Sequence, residues 1–346
     1  MIVANLDCEV EWSGGPALPA AVTARLALLA TTLRVFAVDG APLWLPGPVA
    51  PRAVTADGPQ PRLCGGPRPR APALAWGASV GFDAAPAAPP SPVTDWRALL
   101  GPPPPVAIAR AVNDRRFALT LADQLGVALP GARVIASLDE LRAHLAAGGA
   151  DASPTGAWVA KAPLTAAGRD RVRRRGAELD DATATRVSRL LAIHGTLVVE
   201  PWMARTVDLG QGGVVLGPDD VRLLPPHRGV CDSAGVIRAL AIDDELEVEP
   251  TDLARLAEVV GAVGVALGRA GYCGPFVVDA FVHAGGLHPL GEINARLTFG
   301  LVARAWAEHL GTPLTLGLGG PPPANARPLA LAPDGSAAAW WAPHGA

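Results

Sequence analysis

Gly274–Gly300 reads GPFVVDAFVHAGGLHPLGEINARLTFG, and its pattern decides how the rest of the chain is read. Phe276–Val282 is rich in β-branched and aromatic residues, the run from His283 to Gly286 supplies turn chemistry, and Leu287–Asn294 returns as a second strand. Polar side chains interrupt this apolar hairpin at Asp279, Glu292, Asn294 and Arg296. Pairing Val282 with Leu287 sets Asp279 opposite Leu290, and alternation along both strands then puts all of these polar residues on one face. A slip of one residue would turn Asp279 to the other face. Two carboxylates and an amide oxygen so arranged suit a hard cation that also holds phosphates, and Mg²⁺ is the usual one. Taken alone, the hairpin also reads as an ordinary sheet with one polar side turned to solvent.

At 346 residues the chain has room for two or three compact units. Half of it is apolar and its net charge is −3, which argues against a nucleic-acid surface or a polybasic membrane patch. No apolar run approaches the ~20 residues of a membrane span. The opening MIVANLDCEVEW lacks the basic and apolar regions of a signal peptide, and Cys8, Cys64, Cys231 and Cys273 are scattered without metal-ligand spacing. The expectation is a cytoplasmic protein with reduced, buried thiols. Of 29 basic residues, only Lys161 is a lysine. The abundance of Arg, Ala, Gly and Pro is the bias of a GC-rich coding sequence. Lys161 has therefore either survived by chance or sits where a compact ammonium works and a broad guanidinium does not.

Along the chain, Ile2–Asn5 reads as a strand, Pro19–Leu33 as a helix and Arg34–Val38 as a second strand. Asp7, Glu9 and Glu11 alternate, which suggests the solvated face of an edge strand. Pro46–Pro92 is dense in proline and glycine, so regular structure should be sparse there. Pro102–Pro105 is a stiff spacer and a boundary. Beyond it, Val106–Val112 reads as a strand, and Asn113 caps a helix over Asp114–Leu125. Arg133–Ala136 is a strand, and Ser137 with Glu140 forms a capping box for a helix to Ala147. Ala157–Pro163 is a strand, followed by a polar loop and an arginine-rich turn. Glu178–His194 is a helix ended by Gly195, and Thr196–Met203 is a buried strand. Further strands are expected at Leu209–Leu216, Val221–Leu224 and Val236–Ala241. Helices follow at Thr251–Arg269 and Leu301–Leu310, on either side of the opening hairpin. From Pro321 the chain reads as a loose tail, with Trp340 and Trp341 able to dock. The class is α+β after a small α/β start.

Three features carry chemistry in order. Lys161 ends a strand and is followed by a loop with Gly168 and Arg169, a way to hold nucleotide phosphates with an ammonium and backbone amides. Leu197–Trp202 is an apolar strand ending in Glu200, Pro201 and Trp202, which offers an apolar slot, an acceptor and backbone groups to an adenine edge. Asp208 can accept from ribose hydroxyls. The acidic hairpin comes last.

In this combination the sequence resembles the ATP-grasp superfamily. EINAR at Glu292–Arg296 is similar to the E-x-N-x-R of biotin carboxylase and carbamoyl-phosphate synthetase, with Asp279 upstream. KAPLTAAGRD at Lys161–Asp170 resembles the superfamily's lysine and glycine-rich loop, and VVEPW at Val198–Trp202 resembles its adenine-holding hinge. NDRRFALTLADQLGVALPG at Asn113–Gly131 resembles the segment in which a basic residue opens a helix. The likeness covers about residues 106–312. Thr165, Ala166 and Ala167 depart from the glycines of close relatives, and Arg115 or Arg116 stands where many members carry lysine.

The resemblance implies an ATP-grasp fold with two α+β subdomains clamping ATP, residues 106–195 and 196–320. A Rossmann-like, proline-rich α/β unit at 1–105 would precede them and a tail at 321–346 would follow. It implies a ligase that activates a carboxylate as an acyl phosphate and joins it to an amine or thiol, with small-molecule substrates or a peptide and with a homodimer as the assembly to test. A kinase acting on a hydroxyl and an ATP-binding regulator are the rivals. The cofactors implied are ATP and Mg²⁺, with Mn²⁺ as a substitute. Arg115 or Arg116, Lys161 and Gly168 would hold phosphates, and Glu200, Pro201, Trp202 and Asp208 the nucleoside. Asp279, Glu292 and Asn294 would hold the metal. Arg296 would meet the transferring phosphoryl group or the acceptor carboxylate. Apart from the resemblance, Arg228 follows Pro225 and Pro226 in an expected loop between strands, where it can face the acceptor and bind a substrate carboxylate or pair with Asp232 at the surface. Lys161 and Arg296 are the catalytic candidates.

Overall fold

The computed structural model describes residues 1–83, 95–165, 170–232, 235–243 and 245–344. Gly168 and Arg169, expected in the phosphate loop, lie outside the described residues. The N-terminal segment holds β1 (Ile2–Val3), α1 (Cys8–Ser13), α2 (Ala20–Ala30), β2 (Pro42–Trp44), β3 (Arg62–Cys64) and β4 (Leu74–Ala75). These strands form a parallel sheet in the order β3-β2-β1-β4. Regular structure between Pro46 and Asp83 is confined to short strands and one 3-10 turn, in keeping with its proline content. Two expectations fail here. Arg34–Val38 is not a strand, because a 3-10 helix continues α2 over Thr31–Phe36. Thr31 and Thr32 turn their hydroxyls back onto Leu28 O and Leu29 O, at 2.6 and 2.7 Å. Asp7, Glu9 and Glu11 do not line a strand either, since the chain turns at Asp7 into the helix α1.

The next segment holds α3 (Val106–Val112), α4 (Arg115–Gln124), β5 (Arg133–Ile135), α5 (Leu138–Ala146), β6 (Ala157–Lys161), β7 (Arg171–Arg175), α6 (Asp181–His194) and β8 (Leu197–Pro201). Val106–Val112 is helical, not extended: its β-branched residues share the stretch with three alanines, and Ala109 and Val112 bury one face at helical spacing. Asp114, not Asn113, caps α4, accepting from Arg116 N at 2.8 Å. Ser137 caps α5 as expected, and Gly195 ends α6 at φ 75°. The arginine-rich stretch is the strand β7, not a turn. The four strands form an antiparallel sheet in the order β5-β8-β6-β7, with α5 and α6 packed on one face through Leu141, Leu145, Val187 and Leu190.

The remainder holds β9 (Arg205–Gly217), β10 (Asp220–Leu223), β11 (His227–Cys231), β12 (Ile237–Ile242), α7 (Pro250–Arg269), β13 (Gly274–His283), β14 (Gly286–Asn294), α8 (Phe299–Leu310), β15 (Leu314–Gly317), β16 (Arg327–Leu331) and β17 (Ala337–Pro343). They build one antiparallel sheet, β14-β13-β9-β11-β12-β15-β17-β16, with β10 paired to β9. Helix α7 covers one face, burying Leu256, Val259 and Val263 against Val278, Ala280 and Ile293. The expected loose tail is instead two strands of this sheet. Arg34, fully buried, reaches across to it and donates to Leu329 O at 3.0 Å, Asp57 O at 2.7 Å and Thr55 Oγ1 at 3.2 Å. Leu33, Leu329, Trp306 and Trp341 thereby share one core with the N-terminal sheet.

Candidate nucleotide and metal site

The opening hairpin forms, but with an irregular register. Val282 faces Leu287 and Phe281 faces His288, as expected; beyond them Asp279 faces Glu292, not Leu290. Pro289, Leu290 and Gly291 on β14 stand against Ala280 alone, so β14 carries two extra residues. An even offset preserves side-chain parity, so Asp279, Glu292 and Asn294 still share the face opposite α7.

On that face the Asn294 amide donates to Asp279 Oδ2 at 3.0 Å and accepts from Arg296 Nη2 at 2.9 Å. Burial, and then the charge of Glu292, push the Asp279 carboxyl up to about 7. Two carboxylates that oppose each other's ionisation, with an amide beside them, fit a divalent cation, which would remove the repulsion. Among the described residues no larger cluster of His, Cys, Asp and Glu is available to a metal. That suits Mg²⁺, which draws the rest of its shell from phosphate oxygens and water.

Two cations stand beside the hairpin. Lys161, at the end of β6, pairs with Glu200 on β8. Burial raises the Glu200 carboxyl, but the Lys161 ammonium outweighs it and holds the group below the ordinary range. Arg115 starts α4 and donates to Ala162 O (2.6 Å), Thr165 Oγ1 (3.1 Å), Thr165 O (2.8 Å) and Glu292 Oε1 (2.8 Å). It joins the segment after Lys161 directly to the acidic hairpin. Its Nε is buried without a partner among the described residues. Arg116 turns away, pairing with its own cap Asp114 at 2.5 Å and standing half exposed. Of the two arginines, the geometry brings only Arg115 to the site.

The cleft is lined by Leu119, Ala128, Leu129 and Leu290, with Glu200, Arg115 and His288 at its polar end. His288 was not singled out from the sequence. It is buried, and burial and the nearby Lys161 ammonium lower its pKa to about 4, so it is a neutral imidazole at pH 7. Trp202 stands at the end of the hinge strand β8 with Arg173 4.4 Å and Arg205 5.5 Å from its ring. Asp208 lies on the hairpin's site face, since it faces Phe281 in the β9–β13 register, and it pairs with Arg205 at 3.0 Å. Arg228 does not join the site. It lies on β11, which the sequence read as a loop, opposite Leu209 and so on the α7 side, and it pairs with Glu247 at 3.7 Å. A larger surface hollow at Pro321, Pro322 and Trp340 is lined by no charged side chain.

Arg296 is buried beneath the N-terminal segment. Its guanidinium meets Glu9 (2.6 Å from Nε), Leu297 O (2.9 Å from Nη1) and Asn294, with the Trp76 ring 5.5 Å away. Glu9 is the second residue the sequence did not reveal.

No protein-family model and no curated protein matches the sequence. Solved structures do match in fold. The N5-carboxyaminoimidazole ribonucleotide synthetase from Thermus thermophilus aligns over 100% of this chain and 94% of its own, with a TM-score of 0.55 at 14% identity. A biotin carboxylase–β,γ-ATP complex from Campylobacter jejuni covers 69% of this chain and 64% of its own, with a TM-score of 0.51 at 12% identity. The N5-carboxyaminoimidazole synthetase from Staphylococcus aureus complexed with ADP matches at 10% identity and a TM-score of 0.46; this chain spans 58% of its length. At these identities the likeness is one of architecture. The chain has the ATP-grasp fold. Among the described residues no helix is long and apolar enough to cross a membrane, and all four cysteines are free thiols, of which only Cys8 is fully buried.

Proposed function

We propose that the chain is an ATP-dependent carboxylate–amine ligase, with residues 106–195 and 196–320 closing on the nucleotide. The observation that carries this reading is the convergence of two charged groups on one hairpin: Arg115 donates to Glu292 beside Asp279 and Asn294, and the Lys161–Glu200 pair stands near His288 of the same strand. Phosphoryl transfer depends on positioning and charge neutralisation, and this arrangement supports both. Lys161 and Arg115 would hold phosphates, while the apolar walls and Glu200 would hold adenine, with Asp208 near the ribose. Asp279, Glu292 and Asn294 would hold Mg²⁺, which would supply charge neutralisation to the transferring phosphoryl group. Arg296 would steady the acceptor carboxylate as it takes the γ-phosphoryl group; an amine then displaces phosphate from the acyl phosphate. Fold neighbours were solved as complexes with β,γ-ATP, and with MgADP and bicarbonate, which supports ATP and small-molecule substrates here.

ADP release measured across a panel of carboxylates and amines tests the reading, with hydroxylamine as a trap. A ligase turns over ATP with its carboxylate and yields a hydroxamate. A stable phosphoester in place of the hydroxamate would mean a kinase, and no ATP-dependent turnover with any pair would leave a nucleotide-binding protein.

A further inference from the structure

This inference rests on the metal and phosphoryl roles proposed above, and concerns the residue that the N-terminal segment adds to that site. Glu9 lies in the first turn of α1, where its Oε1 accepts from Arg296 Nε at 2.6 Å and meets Nη2 at 2.5 Å; both side chains are 12% exposed. Arg296 in turn donates from Nη2 to Asn294 Oδ1, and the Asn294 amide nitrogen donates to Asp279 Oδ2. A guanidinium has donors only, so the amide oxygen must face it and the amide nitrogen must face Asp279. The position of Arg296 therefore sets the orientation of Asn294. Glu9 itself is well fixed. Trp12 Nε1 donates to Ala78 O at 2.9 Å, Glu11 pairs with Arg68 and accepts from Val80 N at 3.3 Å, and Leu297 N donates to Trp76 O at 2.9 Å. These bonds tie α1, the end of β4 and the end of β14 into one unit around the guanidinium.

We propose that Glu9 is a positioning residue that holds Arg296 off the metal carboxylates. A buried guanidinium hydrogen-bonded to Asn294 and lacking its own acid would take Asp279 and Glu292 as counterions. It would then compete with a divalent cation for the same oxygens. Glu9 supplies an acid outside the metal set, so Arg296 stays charged and in place while Asp279 and Glu292 remain available.

The test is Mn²⁺ binding in the presence of ADP, followed through the manganese electron paramagnetic resonance signal, for wild type, Glu9→Ala, Arg296→Ala and the double variant. Glu9→Ala weakens Mn²⁺ binding about tenfold, the scale of one charge-assisted hydrogen bond. In the Arg296→Ala background, removing Glu9 changes it less than about twofold, because the competing guanidinium is gone. Glu9→Ala within twofold of wild type, or an equal loss in both backgrounds, overturns the proposal; equal losses would mean Glu9 merely braces the fold. If Glu9→Ala does not fold, Glu9→Gln keeps the volume and drops the charge, and about threefold weakening is expected in the wild-type background only. Wild type that binds neither Mn²⁺ nor ADP sinks the parent reading, and this inference with it. That outcome differs from a wild type that binds both while Glu9→Ala binds equally well.

Discussion

Replacing Asp279 by asparagine should make the protein more stable and less able to bind metal, and the two effects have one cause. Burial and the facing Glu292 raise the Asp279 carboxyl from 3.8 to about 7. At ~1.4 kcal/mol per pKa unit, that is a destabilisation of about 4 kcal/mol at most once the group is ionised. Asp279 is only half-buried, so solvation reduces the cost to roughly 2 kcal/mol. The folded-state pKa lies above the unfolded one. Between about pH 4 and pH 7 the folded chain therefore keeps a proton that the unfolded chain has lost, and stability falls as pH rises through that window. Asparagine keeps the volume, and its oxygen can accept the same Asn294 hydrogen bond, so no cavity and no orphaned donor result. In EDTA at pH 8 the Asp279→Asn variant should melt about 3 °C higher than wild type. The advantage should shrink at pH 5 and vanish near pH 4. Adding Mn²⁺ and ADP should stabilise wild type and not the variant. A variant less stable than wild type at pH 8, or a gain independent of pH, would refute the electrostatic account of this pair.

Lys161→Met should weaken ATP binding roughly thirtyfold, and Lys161→Arg should recover little of it, because the ammonium is enclosed against Glu200; calorimetric titration with ADP measures both. Arg115→Ala should raise the ATP KM at least tenfold while Arg116→Ala leaves it within twofold, since only Arg115 reaches the cleft. Arg34→Met should cost about 3 kcal/mol in urea unfolding, because it removes three hydrogen bonds of a fully buried guanidinium, to Leu329 O, Asp57 O and Thr55 Oγ1, and hydrogen exchange should rise first in β16.

Much of the hairpin was legible because its signals are local: alternation, a glycine-bearing turn and a run of β-branched residues act within a dozen positions. The bulge was not, since Pro289 and Gly291 announce an irregularity without giving its size; only its even offset spared the face assignment. Val106–Val112 misled because alternating apolar residues fit a short strand and a short helix equally, and burial of Ala109 and Val112 one helical turn apart decided between them. The chain beyond Pro321 looked unstructured because its strands are stabilised from afar, by Arg34 nearly 300 positions earlier. Glu9 was hidden for the same reason. Its alternation with Asp7 and Glu11 suggested a solvated edge, and only the fold supplies the Arg296 that buries it. His288 gave no sign because a histidine in an apolar strand is usually a satisfied core residue. Arg228 was placed in the site by its neighbourhood in sequence, and strand parity, which needs β11 to be recognised as a strand, removes it.

The charges of the cleft explain why Arg115 and Arg296 call for different partners. Arg115 pairs with Glu292 of the proposed metal set, and Lys161 pairs with Glu200 of the proposed adenine strand. Breaking either pair alone would leave a carboxylate without a counterion in a cleft of low dielectric, which is costly. Were a divalent cation to take Glu292, Arg115 would be free to meet a phosphate oxygen, and the two exchanges would cost less together than apart. On the proposed roles, metal and nucleotide would bind as a linked pair, each neutralising what the other uncovers. Arg296 cannot work this way. It sits just past the same strand end as Asn294, one hydrogen bond from the metal set, and must keep its charge and place before and after phosphates arrive. A private acid is the physical solution, and it comes from the N-terminal segment: Glu9 gives Arg296 a counterion that the metal does not need.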